Sequence, residues 1–305
     1  MQLKRLYPLF MALIATRDWI VAQLVFVLLK FLRLFPMQTS ARYMANFARF
    51  IGPLTPRHQL GLRNLRLAFP EKPEAEIRQI AKECWAHSFR TVFEYAHLDQ
   101  IFDLETEGVS TGKIDVLKPE MFLKLRDDGL PAIIFTAHLA NFELLPLCAA
   151  KFDLDLLSLF RAPNNPRIAK RMAEARNVVV ENLLPSQKGA ALHLMAALGR
   201  GTHVGLLVDQ KFSRGIYVPF FGHPAKSNPL LAKLARAYDC PVHGAWVVRL
   251  PDGRFQLEMT DELDLPRDAK GDVDIVGTTA LVNDVIEGWV RKNPAQWLWF
   301  HRRWD

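Results

Sequence analysis

Two side chains in one short segment have the types and spacing suited to proton transfer. His138 and Glu143 lie in Ala-His-Leu-Ala-Asn-Phe-Glu at 137–143, directly after the apolar run 131–136. An imidazole can take a proton from a hydroxyl near neutral pH, and a carboxylate can hold its tautomer. Since no Ser or Cys lies between them, the attacking hydroxyl would belong to a substrate. The structural alternative is a histidine bonded to a main-chain carbonyl, with Glu143 as a favourable charge at a helix N-terminus.

The elements that must position this pair follow from the hydrophobic pattern. Apolar runs predict strands at 132–137, 155–160, 177–181, 203–208, 242–249 and 254–259. Helical patterns occur at 73–100, 141–151, 166–175, 188–199, 227–239 and 272–292. Strands that alternate with helices predict an α/β fold, with a mixed, largely parallel sheet flanked by helices. The proline-rich stretches 163–166 and 219–229 are predicted to be loops.

Polar side chains follow three of the predicted strands. His138, Arg161 and Asp209 each come directly after a strand, and the carboxyl ends of parallel strands form the usual ligand crevice. We therefore expect these three residues to converge. Arg161 would hold a phosphate or the developing charge, unless it is a surface residue beside a turn. Asp209 and Gln210 would either line the acceptor pocket or brace the crevice by hydrogen bonds.

Charge and cysteine content limit the class of protein. The three cysteines are widely spaced, which favours a reducing compartment and neither a disulfide framework nor a zinc site. Residues 1–70 contain ten Lys or Arg and one acid, a net charge of +9, so the total of +7 leaves −2 for residues 71–305. No nucleic-acid-reading motif accompanies this charge. Interleaved with apolar runs, it indicates a membrane surface rather than a nucleic acid.

The N-terminal segment is predicted to be a membrane anchor. Residues 9–35 are mostly apolar but are interrupted by Arg17, Asp18, Lys30 and Arg33. They therefore form either a short span or a helix in the interface, the alternative being a buried helix of the fold. The downstream positive charge places the next domain on the cytoplasmic side. We expect one domain over residues 36–305, helical to about residue 130.

A second basic helix is predicted at residues 56–69. Its arginines alternate with leucines, so it is either a membrane-facing amphipathic helix or a surface helix with an apolar underside.

Several blocks of the sequence resemble a known family. The segment 137–143 is similar to the His-x4-Asp/Glu block of glycerolipid acyltransferases, and more closely to the form in the late acyltransferases of lipid A biosynthesis. Further blocks agree in order: Phe-Arg-Ala-Pro-Asn-Asn-Pro at 160–166, Val-Asp-Gln at 208–210, Val-Pro-Phe-Phe-Gly-His-Pro-Ala at 218–225 and Asn-Pro-Ala-Gln-Trp-Leu-Trp-Phe-His-Arg-Arg-Trp at 293–304. One departure is that Ala137 and Ala140 stand where the family commonly has Gly. The aromatic residues at 297, 299, 300 and 304 of the last block also predict a docked tail.

The resemblance implies O-acyl transfer from acyl carrier protein, or from acyl-CoA, to a hydroxyl of a membrane glycolipid. The expected acceptor is a lipid A precursor at the cytoplasmic face of the bacterial inner membrane. His138 would be the base and Glu143 its orienting partner, with no metal and no cofactor beyond the acyl donor. The residues expected to contact substrate are Asn141, Arg161, Asn164, Asp209, Gln210, Arg302 and Arg303.

Other functions share these features. Acylation of another lipid, such as an ornithine lipid, a phosphoinositide mannoside or a lysophospholipid, needs the same base. A lipid hydrolase or thioesterase would use water in place of the acceptor hydroxyl. A non-catalytic membrane scaffold is a third class, but it has no need of the His138 and Glu143 pair. A labelled acyl donor separates these functions by its product.

Overall fold

The structure of the chain is a computed structural model, which describes residues 2–95, 97, 101, 113–160, 165–170, 183–186 and 189–304. Side chains are described from residue 10 onward. The helices are α1 Gln2–Leu32, α2 Met37–Ile51, α3 Pro56–Ala68, α4 Glu74–Tyr95, α5 Pro119–Asp127, α6 Leu144–Lys151, α7 Ala190–Leu198, α8 Leu230–Tyr238 and α9 Ile275–Lys292. The strands are β1 Ile114–Leu117, β2 Ile133–Thr136, β3 Leu156–Phe160, β4 Leu183–Pro185, β5 His203–Leu207, β6 Ile216–Phe220, β7 His223–Ser227, β8 Val242–Arg249 and β9 Phe255–Met259.

Within the described part of the chain, seven strands form one sheet in the order β1-β9-β8-β2-β5-β3-β4. Every neighbouring pair is parallel except β8 and β9. Alternate side chains of a strand point to opposite faces, and β2 shows this: Ile133 and Phe135 join one apolar cluster, whereas Ile134 joins the other. The sheet is thus covered on both faces, which confirms the predicted α/β class with a largely parallel sheet.

The predicted strands at 132–137, 155–160, 203–208, 242–249 and 254–259 match β2, β3, β5, β8 and β9 to within a residue or two. The predicted strand 177–181 and part of the predicted helix 166–175 lie outside the described residues. Four strands were missed. Residues 219–229 were predicted to be a loop, but the structure has the hairpin of β6 and β7 at 216–227. The short strands β1 and β4 form the two edges of the sheet. Each is held by its pairing with a neighbouring strand, β9 or β3, and its few residues show no strand pattern of their own.

The N-terminal part is helical. In α1, the stretch Phe10–Leu32 has a mean hydropathy of 1.8 and is long and apolar enough to cross a membrane. Only 6% of an 18-residue part of it is buried inside the protein. This exposure is inconsistent with the alternative of a buried helix of the fold. Helix α3, in contrast, buries one face against the C-terminal tail. There Arg57 donates to the main-chain oxygen of Phe300, and Asn64 donates to that of Trp299.

Candidate active site

Adjacent parallel strands carry the two central residues of the site. Strand β2 ends two residues before His138, and β5 ends two residues before Asp209. The strands pair in register, with Thr136 opposite Leu207. Because both strands are buried and run the same way, the residues after them leave the sheet at one edge. The structure therefore brings His138 and Asp209 into direct contact although 71 positions separate them.

The carboxylate that binds the His138 ring is that of Asp209. Nδ1 of His138 lies 2.8 Å from Oδ1 of Asp209, and the main-chain N–H of His138 donates to Oδ2 at 2.9 Å. From the sequence, Glu143 was expected in this orienting position. Complete burial alone would raise the pKa of Asp209. The neighbouring His138 and the hydrogen bonds it donates outweigh burial and hold that pKa below the usual range of a carboxyl.

An ionised Asp209 fixes the tautomer of His138. A carboxylate can only accept, so the ring proton lies on Nδ1 and the lone pair on Nε2. The side-chain amide of Gln210 lies 3.2 Å from Nε2 and can donate to it. The side chain of His138 is 18% exposed. The ring is thus partly exposed, and an acceptor hydroxyl that binds Nε2 would replace the Gln210 amide there.

The C-terminal tail holds the His138 segment from behind. The indole Nε1 of Trp297 donates to Oδ2 of Asp209 at 2.8 Å, and the indole is fully buried. The main-chain N–H of Leu298 donates to the oxygen of His138, and that of Ala140 donates to the oxygen of Gln296. A docked tail was predicted from its aromatic residues, and the burial of Trp297, Trp299, Phe300 and Trp304 confirms it. Its contact with Asp209 was not predicted, because the sequence gives no sign of a pairing 88 positions apart.

Ala140 has a backbone conformation that glycine adopts more easily. Its φ is +46°, in the left-handed region that costs a residue with a Cβ about 1–2 kcal/mol. Its main-chain oxygen accepts from the hydroxyl of Thr91 in α4. Gln296 binds its main-chain N–H. These contacts explain how a residue with a Cβ is held where the family commonly has Gly.

A buried ion pair supports the residue after Ala140. Glu94 of α4 makes two hydrogen bonds, at 2.9 and 2.6 Å, with Arg249 at the end of β8. The amide nitrogen of Asn141 donates to the same carboxylate at 3.1 Å, and Asn141 is fully buried. Nδ1 of His87 accepts from Arg249. Such a pair costs about 3–5 kcal/mol to break, and this position favours a structural role for Asn141 over substrate contact.

An apolar cavity adjoins the segment 137–143. Phe142 contacts the His138 ring edge to face, with 4.8 Å between ring centroids. Phe142 and Glu143 both line the cavity, and Glu143 is the residue that precedes α6. The other lining residues come mainly from the faces of β2, β3 and β5 and from α6: Ile134, Thr136, Leu145, Pro146, Leu156, Ser158, Leu159, Phe160, Leu183, Gly205, Leu206, Leu207 and Ala245. The segment that carries His138 thus also contributes to the wall of a space suited to a hydrocarbon chain.

The remaining predicted site residues are distributed differently. Arg161 and Asn164 lie outside the described residues. Arg302 is exposed. Arg303 is fully buried and donates to the Ser227 hydroxyl at 2.7 Å, a position that favours a structural role over lipid binding. Among the residues that the structure describes, no group of three His, Cys, Asp or Glu is placed to hold a metal ion.

The fold and the site define an α/β enzyme in which an imidazole paired with a buried carboxylate lies beside an apolar cavity, with an exposed apolar helix at the N-terminus. The family model of the bacterial lipid A biosynthesis acyltransferases matches residues 10–305, so the chain belongs to this family. The resemblance drawn from the motifs is confirmed, and the protein is an acyltransferase whose acceptor is a lipid A precursor. No curated protein matches the chain in sequence.

Proposed function

We propose that His138 is the general base of the acyl transfer and that Asp209 orients it. Nε2 of His138 takes the proton of the acceptor hydroxyl while that oxygen attacks the carbonyl of an acyl thioester. The thiol of the donor then leaves with the proton. The observation that supports this proposal is the contact between Asp209 and Nδ1, because it leaves the lone pair on Nε2, the nitrogen that faces away from Asp209. A positioned base contributes about 10²–10⁴ in rate.

Glu143 acts from the other side of the site. Glu143 lines the apolar cavity and follows Phe142, whose ring contacts that of His138. A second carboxylate there stabilises the imidazolium that forms during attack. The acyl chain of the donor occupies the cavity, whose walls are mainly apolar side chains.

The donor is acyl carrier protein, and the catalytic domain lies at the cytoplasmic face of the inner membrane. The basic N-terminal region favours both an acidic carrier protein and a surface of anionic lipids. Nδ2 of Asn165, soon after β3, donates to the main-chain oxygen of Asp18 in α1. This bond joins α1 to the domain that carries the site, so we expect the acceptor lipid to approach His138 from the membrane around α1.

The experiment follows a radiolabelled acyl group from acyl carrier protein to a lipid A precursor, with purified full-length protein in detergent. His138→Ala should lower turnover by about 10³–10⁴. Replacement of the exposed His193 by Ala is the matched control and should leave turnover unchanged. Wild-type turnover in His138→Ala would refute the assignment of the base. Release of free fatty acid without acylated lipid would support a hydrolase instead, and faster transfer from acyl-CoA would exclude the carrier protein as donor.

A further inference from the structure

The polarity of helix α2 is inverted for a helix of a water-soluble domain. Its buried residues are small: Ser40, Ala41, Ala45 and Ala48. Three of its aromatic residues face outward, with Tyr43 66%, Phe47 50% and Phe50 74% exposed, and Leu54, in the 3-10 turn that follows the helix, is 70% exposed. Positions 43, 47 and 50 follow the spacing of one helical face, and Leu54 extends this exposed stripe beyond the end of the helix. We call these four residues the outer stripe.

The small residues of α2 allow it to pack closely on α4. The contact is reinforced by Arg49, whose guanidinium donates to both oxygens of Glu83 at 2.8 and 2.7 Å. The helix is therefore held in one orientation, and the outer stripe cannot rotate inward. Burial of a Leu or Phe side chain contributes about 1.5–3 kcal/mol. A fixed stripe of such residues in water therefore lacks the stabilisation that burial would give. Exposed apolar patches of this kind are typical of interaction surfaces.

Charge and chain continuity indicate what covers the outer stripe. Between Asp18 and Glu71 the sequence contains no acidic residue but seven basic ones, namely Lys30, Arg33, Arg42, Arg49, Arg57, Arg63 and Arg66. The stripe begins soon after α1, and the intervening Leu34 and Phe35 are 76% and 45% exposed. Exposed apolar surface therefore continues from the anchor helix into α2. Aromatic residues flanked by arginines favour the headgroup region of an anionic bilayer.

We propose that α2 lies in the membrane interface, with the outer stripe inserted among the lipids and the small-residue face bound to the domain. Helix α3, which the sequence offered for this role, is instead packed on the tail. On its side away from the lipids, α2 packs on α4. Helix α4 carries Thr91 and Glu94, the residues that bind Ala140 and Asn141. Helix α2 thereby fixes the orientation of the active site relative to the bilayer.

The three native cysteines are buried, and burial raises the pKa of Cys84 to about 12 and that of Cys240 to about 11. A new exposed cysteine in the full-length chain can therefore be labelled selectively. Phe50→Cys would carry an environment-sensitive fluorophore in nanodiscs of phosphatidylglycerol and phosphatidylcholine. Glu262→Cys is the matched control, because Glu262 is exposed and follows β9, at the edge of the sheet opposite to His138.

We expect the fluorophore at position 50 to be quenched by lipids with a nitroxide near the headgroup. We also expect its quenching constant with aqueous iodide to be roughly tenfold lower than at position 262, because the charged quencher is excluded from the acyl region. Equal iodide quenching at the two positions would overturn the proposal. Protection at 50 that requires added acyl carrier protein, or that disappears with one copy per disc, would overturn it in favour of a protein occupant.

A second variant separates insertion from folding. Phe47→Ser together with Phe50→Ser removes exposed side chains, so thermal unfolding in detergent should not change. In nanodiscs, a fluorophore at Leu54→Cys should become accessible to iodide in this variant while α1 keeps the protein bound. Protection of position 54 that persists without the two phenylalanines would contradict insertion of the stripe. This outcome is distinct from any failure of the catalytic proposal, because turnover is not the measurement.

Discussion

The indole of Trp297 and the main chain of His138 donate to the same oxygen, Oδ2 of Asp209, at 2.8 and 2.9 Å. The other oxygen, Oδ1, is thereby left for the imidazole Nδ1. Two N–H donors on Oδ2 determine how the carboxylate is oriented, and the carboxylate determines the histidine tautomer. The C-terminal tail thus acts on the base through one buried acid.

Replacement of Asp209 by Asn should be severe. The two donors at Oδ2 require the amide oxygen there, so the amide nitrogen must face Nδ1 of His138. That nitrogen donates to Nδ1 and forces the ring proton onto Nε2, where it blocks general-base action. We expect kcat to fall by about 10³–10⁴, without recovery at higher pH. The measurement is kcat across pH, and recovery at alkaline pH would contradict the tautomer explanation.

Trp297→Phe should produce a smaller and pH-dependent defect. It removes one donor from the buried Asp209 carboxylate, which costs about 1–3 kcal/mol, and a carboxylate that loses a hydrogen-bond donor has a higher pKa. The acid limb of the kcat/KM profile should therefore move to higher pH. Trp304→Phe is the matched control, because its indole donates to the main-chain oxygen of Phe220 instead. If both variants moved the acid limb equally, the contact with Asp209 would not be responsible.

The strained Ala140 offers a test of the segment between His138 and Glu143. Ala140→Gly relieves about 1–2 kcal/mol of left-handed strain. It also loses about 0.8 kcal/mol of methyl burial and about 0.5–1 kcal/mol of chain entropy. Stability and turnover should therefore stay close to wild type. Ala140→Val adds a branched side chain at a positive φ and should reduce both. Thermal unfolding and turnover are the measurements, and a tolerated Val would show that the positive φ is not required.

The cavity can be tested at Ser158, which lines it from β3. Ser158→Leu introduces a larger apolar side chain into the space, so long-chain donors should lose more kcat/KM than short-chain donors. Ser158→Ala keeps the space open and is the matched control. Donors of graded chain length on acyl carrier protein provide the readout. A uniform loss across chain lengths would place the acyl chain elsewhere.

Acid should destabilise the protein through His87. Burial and the nearby Arg249 lower its pKa to about 3, whereas an unfolded histidine titrates near about 6.5. Between these values the unfolded chain binds more protons, so stability decreases as pH falls, by up to about 1.4 kcal/mol per pH unit for one proton. His87→Gln should flatten this dependence between pH about 6.5 and 4, as followed by denaturation in detergent. An unchanged slope would exclude His87 as the cause.

Local patterns determined much of this protein. The apolar runs predicted β2 and β5, and His138 and Asp209 lie two residues beyond the ends of these strands. Parallel strands share an edge, so a crevice containing both residues could be predicted. The aromatic residues of the tail indicated that it would dock. Each of these inferences depends on residues that are close in sequence, where periodicity and composition carry the information.

Only the tertiary structure decided which partner each side chain received. Glu143 is five positions from His138, but Asp209 holds Nδ1, because β5 is the sheet neighbour of β2. Arg303, expected from the sequence to contact substrate, is buried and donates to the Ser227 hydroxyl. The outer stripe of α2 is exposed because the opposite face of the helix, which carries its alanines, packs on α4. These outcomes depend on packing between distant segments, and a hydrophobic pattern specifies which face of an element is buried but not what covers it.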